Sequence, residues 1–313
     1  MKVYIHVGYP KNASTTFQTD IFPSFKNTLY LGRRYDSEKS FGTEDLTKAF
    51  YDLTMYDSID CDLDSIKNTI NTYIDSQPKK YEKLVISSEA FANNMVDRLI
   101  MAERLKELFP NAKILVIIRE QMKALRSMYA FLVLQRGLNI NVSYGRPSIA
   151  SFEKWILEQE AFMGRSFITT LKYFEYISIY RNLFGNESVA VFLFEELVRS
   201  PDSFFKKIGE FCDEDLIANI AAVKVPTRNK GLTSRATAYY RIRATLPNVS
   251  LSKYIPKVVM AAWQNYLSKD IHSDKKEYLS PELEQKLSDI YIIGNRMLEK
   301  DINMDLSEYG YLV

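Results

Sequence analysis

A chain of 313 residues, 46% hydrophobic and 26% charged, has the composition of a soluble globular protein and the length to bury a sizeable core. Its formal charge of +2 offers no basic field for nucleic acid, and no apolar run reaches the length of a membrane span. Two histidines, His6 and His272, and two distant cysteines, Cys61 and Cys212, argue against a His- or Cys-rich zinc site and make a Ser-His-Asp triad hard to build. The chain runs into a strand without a signal-peptide pattern, so the expectation is a reduced, cytoplasmic protein that holds no metal, binds no nucleic acid and spans no membrane.

The predicted elements alternate. Val3 to Val7 is a strand, and Thr15 to Phe25 a short helix ending near Pro23. Leu29 to Gly32 reads as a second strand, and Leu46 to Met55 as helical. Leu63, Ile66, Ile70 and Ile74 recur at helical spacing before Pro78. Lys83 to Ser88 is the next strand, followed by an amphipathic helix from Arg98 to Phe109. Ala112 to Ile118 is the most apolar strand, and its unbroken run predicts burial on both faces. A helix from Gln121 to Gln135 precedes an aperiodic stretch, 137–149, that reads as a long functional loop. Helices over 150–163 and 167–184 lead to a strand at Val189 to Phe194. Pro201 opens a helix running to Cys212. The remainder is helical apart from a turn at Arg228 to Gly231.

This order predicts an α/β fold: a parallel sheet flanked by helices with a helical C-terminal region, in a single domain whose core sheet occupies about 1–200 and whose helical part occupies about 201–313. Ligands of such sheets sit beyond the carboxyl ends of the strands. Gly8, Ser88-Glu89 and Arg119 are therefore expected along one edge of one crevice.

The first loop, Gly8-Tyr9-Pro10-Lys11-Asn12-Ala13-Ser14-Thr15-Thr16, is the stretch with most chemistry. A helix start offers unpaired N–H groups and a partial positive charge. Ser14, Thr15 and Thr16 add hydroxyl donors, and Lys11 a full charge. A phosphate or sulfate suits these groups; an ordinary capped turn is the plainer alternative. The nucleotide P-loop does not fit, because Lys11 stands three residues before the hydroxyl cluster and no second Gly is present.

The order Pro10-Lys11-Asn12-Ala13-Ser14-Thr15-Thr16 resembles the loop of sulfotransferases that use 3′-phosphoadenosine 5′-phosphosulfate (PAPS), where Pro-Lys-Thr/Ser-Gly-Thr-Thr holds the 5′-phosphosulfate. Bacterial and carbohydrate-directed members often begin Ile-His-x-Gly with a Gln seven residues after the Lys. Ile5-His6-Val7-Gly8 and Gln18 match both features, while Ala13 replaces the usual Gly, which resembles some glycan sulfotransferases, and Ser14 replaces the Thr. The segment from Ile117-Ile118-Arg119 to Arg126-Ser127 resembles the second family motif, in which an Arg and a Ser eight residues later hold the 3′-phosphate. Arg228-Asn229-Lys230-Gly231 resembles more loosely the Arg-Lys-Gly turn that closes over the same phosphate, so that Arg228, Lys230 and Gly231 are candidate donor-binding residues.

The resemblance implies a P-loop-like sulfotransferase fold and transfer of the sulfuryl group of PAPS to a hydroxyl, leaving 3′-phosphoadenosine 5′-phosphate (PAP). Lys11 would stabilise developing charge. Glu89, at the strand end where the family carries its base, would take the acceptor proton, with Glu120 as a rival and a surface helix cap as the plain reading of Glu89. A small-molecule or glycan acceptor is expected, a carbohydrate foremost, and no metal. A P-loop nucleotide kinase and a non-catalytic protein that holds PAP or another bisphosphate remain as alternatives, and the oligomeric state is not legible.

Overall fold

A computed structural model describes residues 1–32, 41–92, 96–135, 151–161, 166–216, 259, 262, 266 and 279–313. Five strands form its sheet: β1 (Lys2–Gly8), β2 (Thr28–Gly32), β3 (Lys83–Ser88), β4 (Lys113–Ile118) and β5 (Val189–Leu193). Their spatial order is β2-β3-β1-β4-β5, and every neighbouring pair is parallel. This is the α/β architecture the alternation predicts. The chain moves outward from β1 on one side and crosses back to β4 on the other, so β1 lies where the strand order reverses. Register brings Val7 beside Ser88 and Gly8 beside Ile117, which levels the carboxyl ends of the three central strands.

The apolar run of β4 behaves as its composition dictates. Ile114, Leu115, Val116, Ile117 and Ile118 are all at most 1% exposed, each contributing roughly 1.5–3 kcal/mol by leaving water. Leu115 and Ile117 join one core with Phe17, Ile21, Phe22, Phe204, Phe205 and Ile208. These come from the first helical segment and from α10 (Pro201–Cys212), which cover one face of the sheet. Alternation turns Ile114, Val116 and Ile118 to the other face. There α8 (Tyr173–Phe184) packs on β4 and β5 and against α4 (Arg98–Leu108).

Two helices depart from expectation. The one predicted over Thr15 to Phe25 starts as α1 (Ser14–Thr16), widens into a π-turn over Phe17–Ile21 and closes with a tight turn at Phe22–Ser24 holding Pro23. Phe17, Gln18 and Ile21 are all buried along the widened turn. The helix predicted over 167–184 is split into α7 (Phe167–Thr170) and α8, so that Leu171 and Tyr173 are both buried. The remaining described helices are α2 (Glu44–Met55), α3 (Leu63–Asp75), α5 (Gln121–Tyr129, continued as a π-turn to Gln135), α6 (Phe152–Ala161), α9 (Phe194–Arg199) and α11 (Pro281–Ile302).

Two compact units emerge. The first comprises Met1–Gln121, Thr169–Pro226 and Ile290–Val313 and contains the sheet; the second comprises Met122–Ile168 and Thr227–Asp289. In the second, Trp155 is 1% exposed within an aromatic stack with Phe152, Tyr129 and Phe167, and Lys286 pairs with Glu160 at 2.7 Å. In the first, the amino edge of the sheet is tied to the end of α10. Asp213 accepts from Lys2 and Tyr4, and Lys83 donates to the Asp213 carbonyl and pairs with Glu214 at 2.7 Å. The Lys83 and Glu214 side chains are 10% and 3% exposed, so each charge depends on the other. Glu214→Ala leaves Lys83 buried without its counter-charge and is expected to cost about 3 kcal/mol, measured by urea unfolding at neutral pH. A loss below about 0.5 kcal/mol would show the pair to be solvated.

Candidate active site

The carboxyl ends of β1, β3 and β4 carry the loop, Glu89 and Arg119. Gly8 ends β1 in a tight place: an added Cβ would stand 3.1 Å from Ser14 Oγ and 3.3 Å from the Ser88 carbonyl oxygen, so these neighbours would have to give way by a few tenths of an ångström. Beyond it the backbone turns through two left-handed residues, Lys11 at φ 70° and Ala13 at φ 65°. The residue that stands where the resembled family has Gly is therefore one whose conformation favours Gly, and Ala carries a strain of about 1–2 kcal/mol there. Its methyl group packs against the core.

Side chains hold this turn. Asn12, fully buried, donates from Nδ2 to the Ile117 carbonyl oxygen at 3.0 Å, and Ser14 Oγ donates to the Tyr9 carbonyl oxygen at 2.9 Å. Arg119 Nη1 donates to the Lys11 carbonyl oxygen at 3.1 Å, so the loop is bonded to the end of β4 from two directions. Gln18 Nε2 donates to Ser87 Oγ, which also meets His6 Nδ1 at 2.8 Å. Tyr9 lies edge-on to Tyr173 with centroids 5.0 Å apart.

The charges converge. Lys11 is half-buried, and desolvation holds its ammonium below the usual lysine range; Glu89 favours the charged form and Arg119 opposes it. Arg119 is likewise lowered, chiefly by burial, with Glu195 the foremost opposing charge. Its guanidinium lies 4.6 Å from the centroid of Phe194, and its Nε is buried without a hydrogen-bond partner. Glu89 opens a short turn after β3, and Ser88 supplies the cap by accepting from the Ala90 N–H at 3.1 Å. Glu120 is 4% exposed, and its N–H donates to Glu195 Oε1. Glu195 also accepts from Tyr311, while Gln121 and Asn295 bond one another and Asn295 donates to the Leu312 carbonyl oxygen.

The expected residues thus fall into three groups. Pro10 to Thr16, Glu89 and Arg119 gather at one sheet edge. Ser127 is half-buried on α5, in the second unit. Arg228, Lys230 and Gly231 lie outside the described residues, as do 137–149 and His272. Sequence reasoning missed Phe194 and Tyr173. Phe194 directly follows β5, and the strand-end rule that selected Arg119 points to it equally.

A strained small-residue turn at a helix start, one half-buried Lys and an Arg with an orphaned donor lie at the strand ends of an α/β fold, and these groups have the chemistry that suits an anion carrying phosphate and sulfate. The chain belongs to the sulfotransferase family: residues 63–299 match the family described as the sulfotransferase domain. It is a PAPS-dependent sulfotransferase, an enzyme, and the kinase and non-catalytic alternatives give way. The match starts beyond the first loop; the fold joins that loop to it, because β1 pairs with β3 and β4 of the matched segment.

Among solved structures, the chain is similar to a sulfotransferase from Alicyclobacillus acidocaldarius (16% identity, 98% of this chain and 88% of that one, TM-score 0.47). It is also similar to a mouse sulfotransferase complexed with PAP (15%, 98% and 88%, 0.48) and to the sulfotransferase domain of the curacin biosynthetic pathway (13%, 97% and 98%, 0.46). No curated protein matches it.

His6 is 1% exposed, and burial pushes its imidazole down to about 3. The unfolded chain takes up this proton near pH 6.5 and the folded chain does not until about pH 3. Stability present above pH 6.5 is therefore lost as pH falls, by about 2 kcal/mol at pH 5. Unfolding at pH 7 and pH 5 measures the loss, and His6→Gln should flatten it. By NMR the His6 ring should not titrate between pH 8 and pH 4.

Proposed function

We propose that this sulfotransferase acts on a hydroxyl of a carbohydrate, that the first loop and Arg119 hold the donor, and that Glu89 is the base. The observation that carries the assignment is the meeting of Lys11, Glu89 and Arg119 at the carboxyl ends of β1, β3 and β4, where Arg119 Nη1 donates to the Lys11 carbonyl oxygen at 3.1 Å and Glu89 favours the charged form of Lys11. When bound, PAPS supplies the sulfuryl group. Pro10, Lys11, Asn12, Ala13, Ser14, Thr15 and Thr16 would line the 5′ side, with the backbone N–H groups of Lys11 to Thr16 and the hydroxyls of Thr15 and Thr16 as donors and Pro10 shaping the turn. Arg119 meets the 3′-phosphate, with Ser127, Arg228, Lys230 and Gly231 as its proposed companions. Lys11, already held partly out of water, interacts strongly with the charge that grows on the leaving side. Glu89 takes the proton of the acceptor hydroxyl.

Carbohydrate as the acceptor class is supported by Ile5-His6-Val7-Gly8, Ala13 and Gln18, the features of the loop that resemble glycan-directed members. The whole chain is read as one sulfotransferase domain, supported by a family match that runs across both units. A cytoplasmic setting agrees with a free, buried Cys212 and a free Cys61, and no described helix is long and apolar enough to cross a membrane. Assay with labelled PAPS against glycans, phenols and lipids tests the acceptor: transfer confined to phenols or lipids would overturn the carbohydrate reading.

Lys11→Ala is expected to keep the fold and lose about 10²–10³-fold in turnover; near-normal kcat would remove Lys11 from the chemistry. Glu89→Gln should bind PAP as the unaltered protein does and lose turnover, because a base acts on the acceptor. Calorimetric titration with PAP beside the transfer assay checks both, and a parallel loss of affinity and rate would make Glu89 structural.

A further inference from the structure

Tyr173 has no part in the reading of the sequence, yet its hydroxyl lies where the two halves of the site meet. The side chain is 1% exposed at the first turn of α8, directly after the break that separates α8 from α7. Its O–H donates to the Arg119 carbonyl oxygen at 2.8 Å, and its hydroxyl oxygen accepts from the Arg119 N–H at 3.4 Å. One phenol thus engages both backbone groups of the residue that ends β4. Burial raises its pKa, and the neighbouring Asn12 side chain and Arg119 backbone oppose the rise. Its ring meets Tyr9, the residue before Pro10, edge-on. Arg119 returns to the loop through its own bond to the Lys11 carbonyl oxygen, which joins Tyr173 through Arg119 to the turn that Asn12 fastens to Ile117.

Arg119 needs such support. It follows the last residue of the strand, so no described strand pairing holds its backbone. The guanidinium can meet an anion in fixed geometry only if the backbone beneath it is fixed. A tyrosine delivered from α8, on a helix packed against the sheet, supplies that from outside the loop.

We propose that Tyr173 is a positioning residue of the donor site, whose hydroxyl sets Arg119 and the Lys11–Asn12 turn in mutual register so that the 5′ and 3′ ends of one nucleotide are recognised together. This rests on the donor reading given above. The property it confers is preference for PAP over adenosine 5′-phosphate, which differs from PAP only in lacking the 3′-phosphate.

Calorimetric affinities for both nucleotides test it in the full chain carrying Arg119→Ala, Tyr173→Phe or both. Tyr173→Phe keeps the ring against Tyr9 and removes only the hydroxyl. It is expected to lower the preference for PAP about tenfold, the worth of one well-placed hydrogen bond. Arg119→Ala should lower it further, and adding Tyr173→Phe to Arg119→Ala should change it no more, because the hydroxyl acts through Arg119. A hydroxyl that merely stabilises the fold would lower Tm and leave the preference intact, which overturns the proposal, as would effects that multiply in the double variant. If Arg119→Ala itself leaves the preference unchanged, the donor reading fails. An effect of Arg119→Ala without one of Tyr173→Phe removes only the positioning role.

Hydrogen exchange on the unaltered protein gives a measurement independent of any variant's folding. Adenosine 5′-phosphate, which has no group for the 3′ side, should still slow exchange at the Arg119 and Glu120 amides together with the loop amides. Protection of the loop alone overturns the coupling.

Discussion

The hydrogen bond from Asn12 Nδ2 to the carbonyl oxygen of Ile117 is the contact on which the carboxyl edge of the sheet depends. Lys11 and Ala13, on either side of Asn12, occupy the left-handed region of backbone space. Non-glycine residues there cost of order 1–3 kcal/mol each and persist only where surrounding structure over-determines them. Here the over-determination is visible. Asn12 fastens the middle of the turn to the most buried strand, Ser14 fastens its far side to Tyr9, and Arg119 fastens Lys11. The strained turn is thereby held in place before any ligand arrives, the arrangement that lets backbone N–H groups act on charge without reorganising.

Electrostatics follow from the same closeness. Two cations, Lys11 and Arg119, lie near enough to oppose one another, and both are partly withdrawn from water, so each is less basic than in solution. Such a pairing costs stability in the absence of an anion and is relieved by one, as perturbed groups at functional sites commonly are. The carboxylates are divided between two places. Glu89 acts on Lys11 from the end of β3, whereas Glu195 acts on Arg119 and also receives Tyr311 from the C-terminal segment. The last residues of the chain are in this way part of the support beneath Arg119, through Glu195 and through Asn295 and Gln121.

The scaffold places these groups by topology. Because β1 lies between β3 and β4, a loop after the first strand, a carboxylate after the third and an arginine after the fourth become neighbours although they are 78 to 108 residues from Lys11. The covering helices serve the site as well as the core. The first helical segment buries Phe17 and Ile21 on one face while turning Gln18 to Ser87, and α8 buries Tyr176 and Tyr180 while presenting Tyr173 to Arg119.

By itself the sequence determined the five strands, their parallel arrangement and the three strand ends that converge. These are consequences of local pattern: the unbroken apolar run of Ala112 to Ile118 suits a strand covered on both faces, and short strands alternating with helices favour parallel pairing through crossovers. Pro10 to Thr16 were legible as an anion-binding candidate because the residue types at a helix start carry that chemistry, and Arg119 because the strand end with Ser127 eight residues later resembles a family motif. Tertiary structure alone decided the left-handed turns at Lys11 and Ala13, the widened turn at Phe17 to Ile21, the break before Tyr173 and the bond from Asn12 to Ile117. Each is locally unfavourable or locally indifferent, and each is selected by a partner distant in sequence: Ile117 lies 105 residues from Asn12, and Arg119 lies 54 from Tyr173. Burial of side chains on the sheet outweighs a few kcal/mol of local preference, and no pattern within one segment records which distant carbonyl group will need its hydrogen bond.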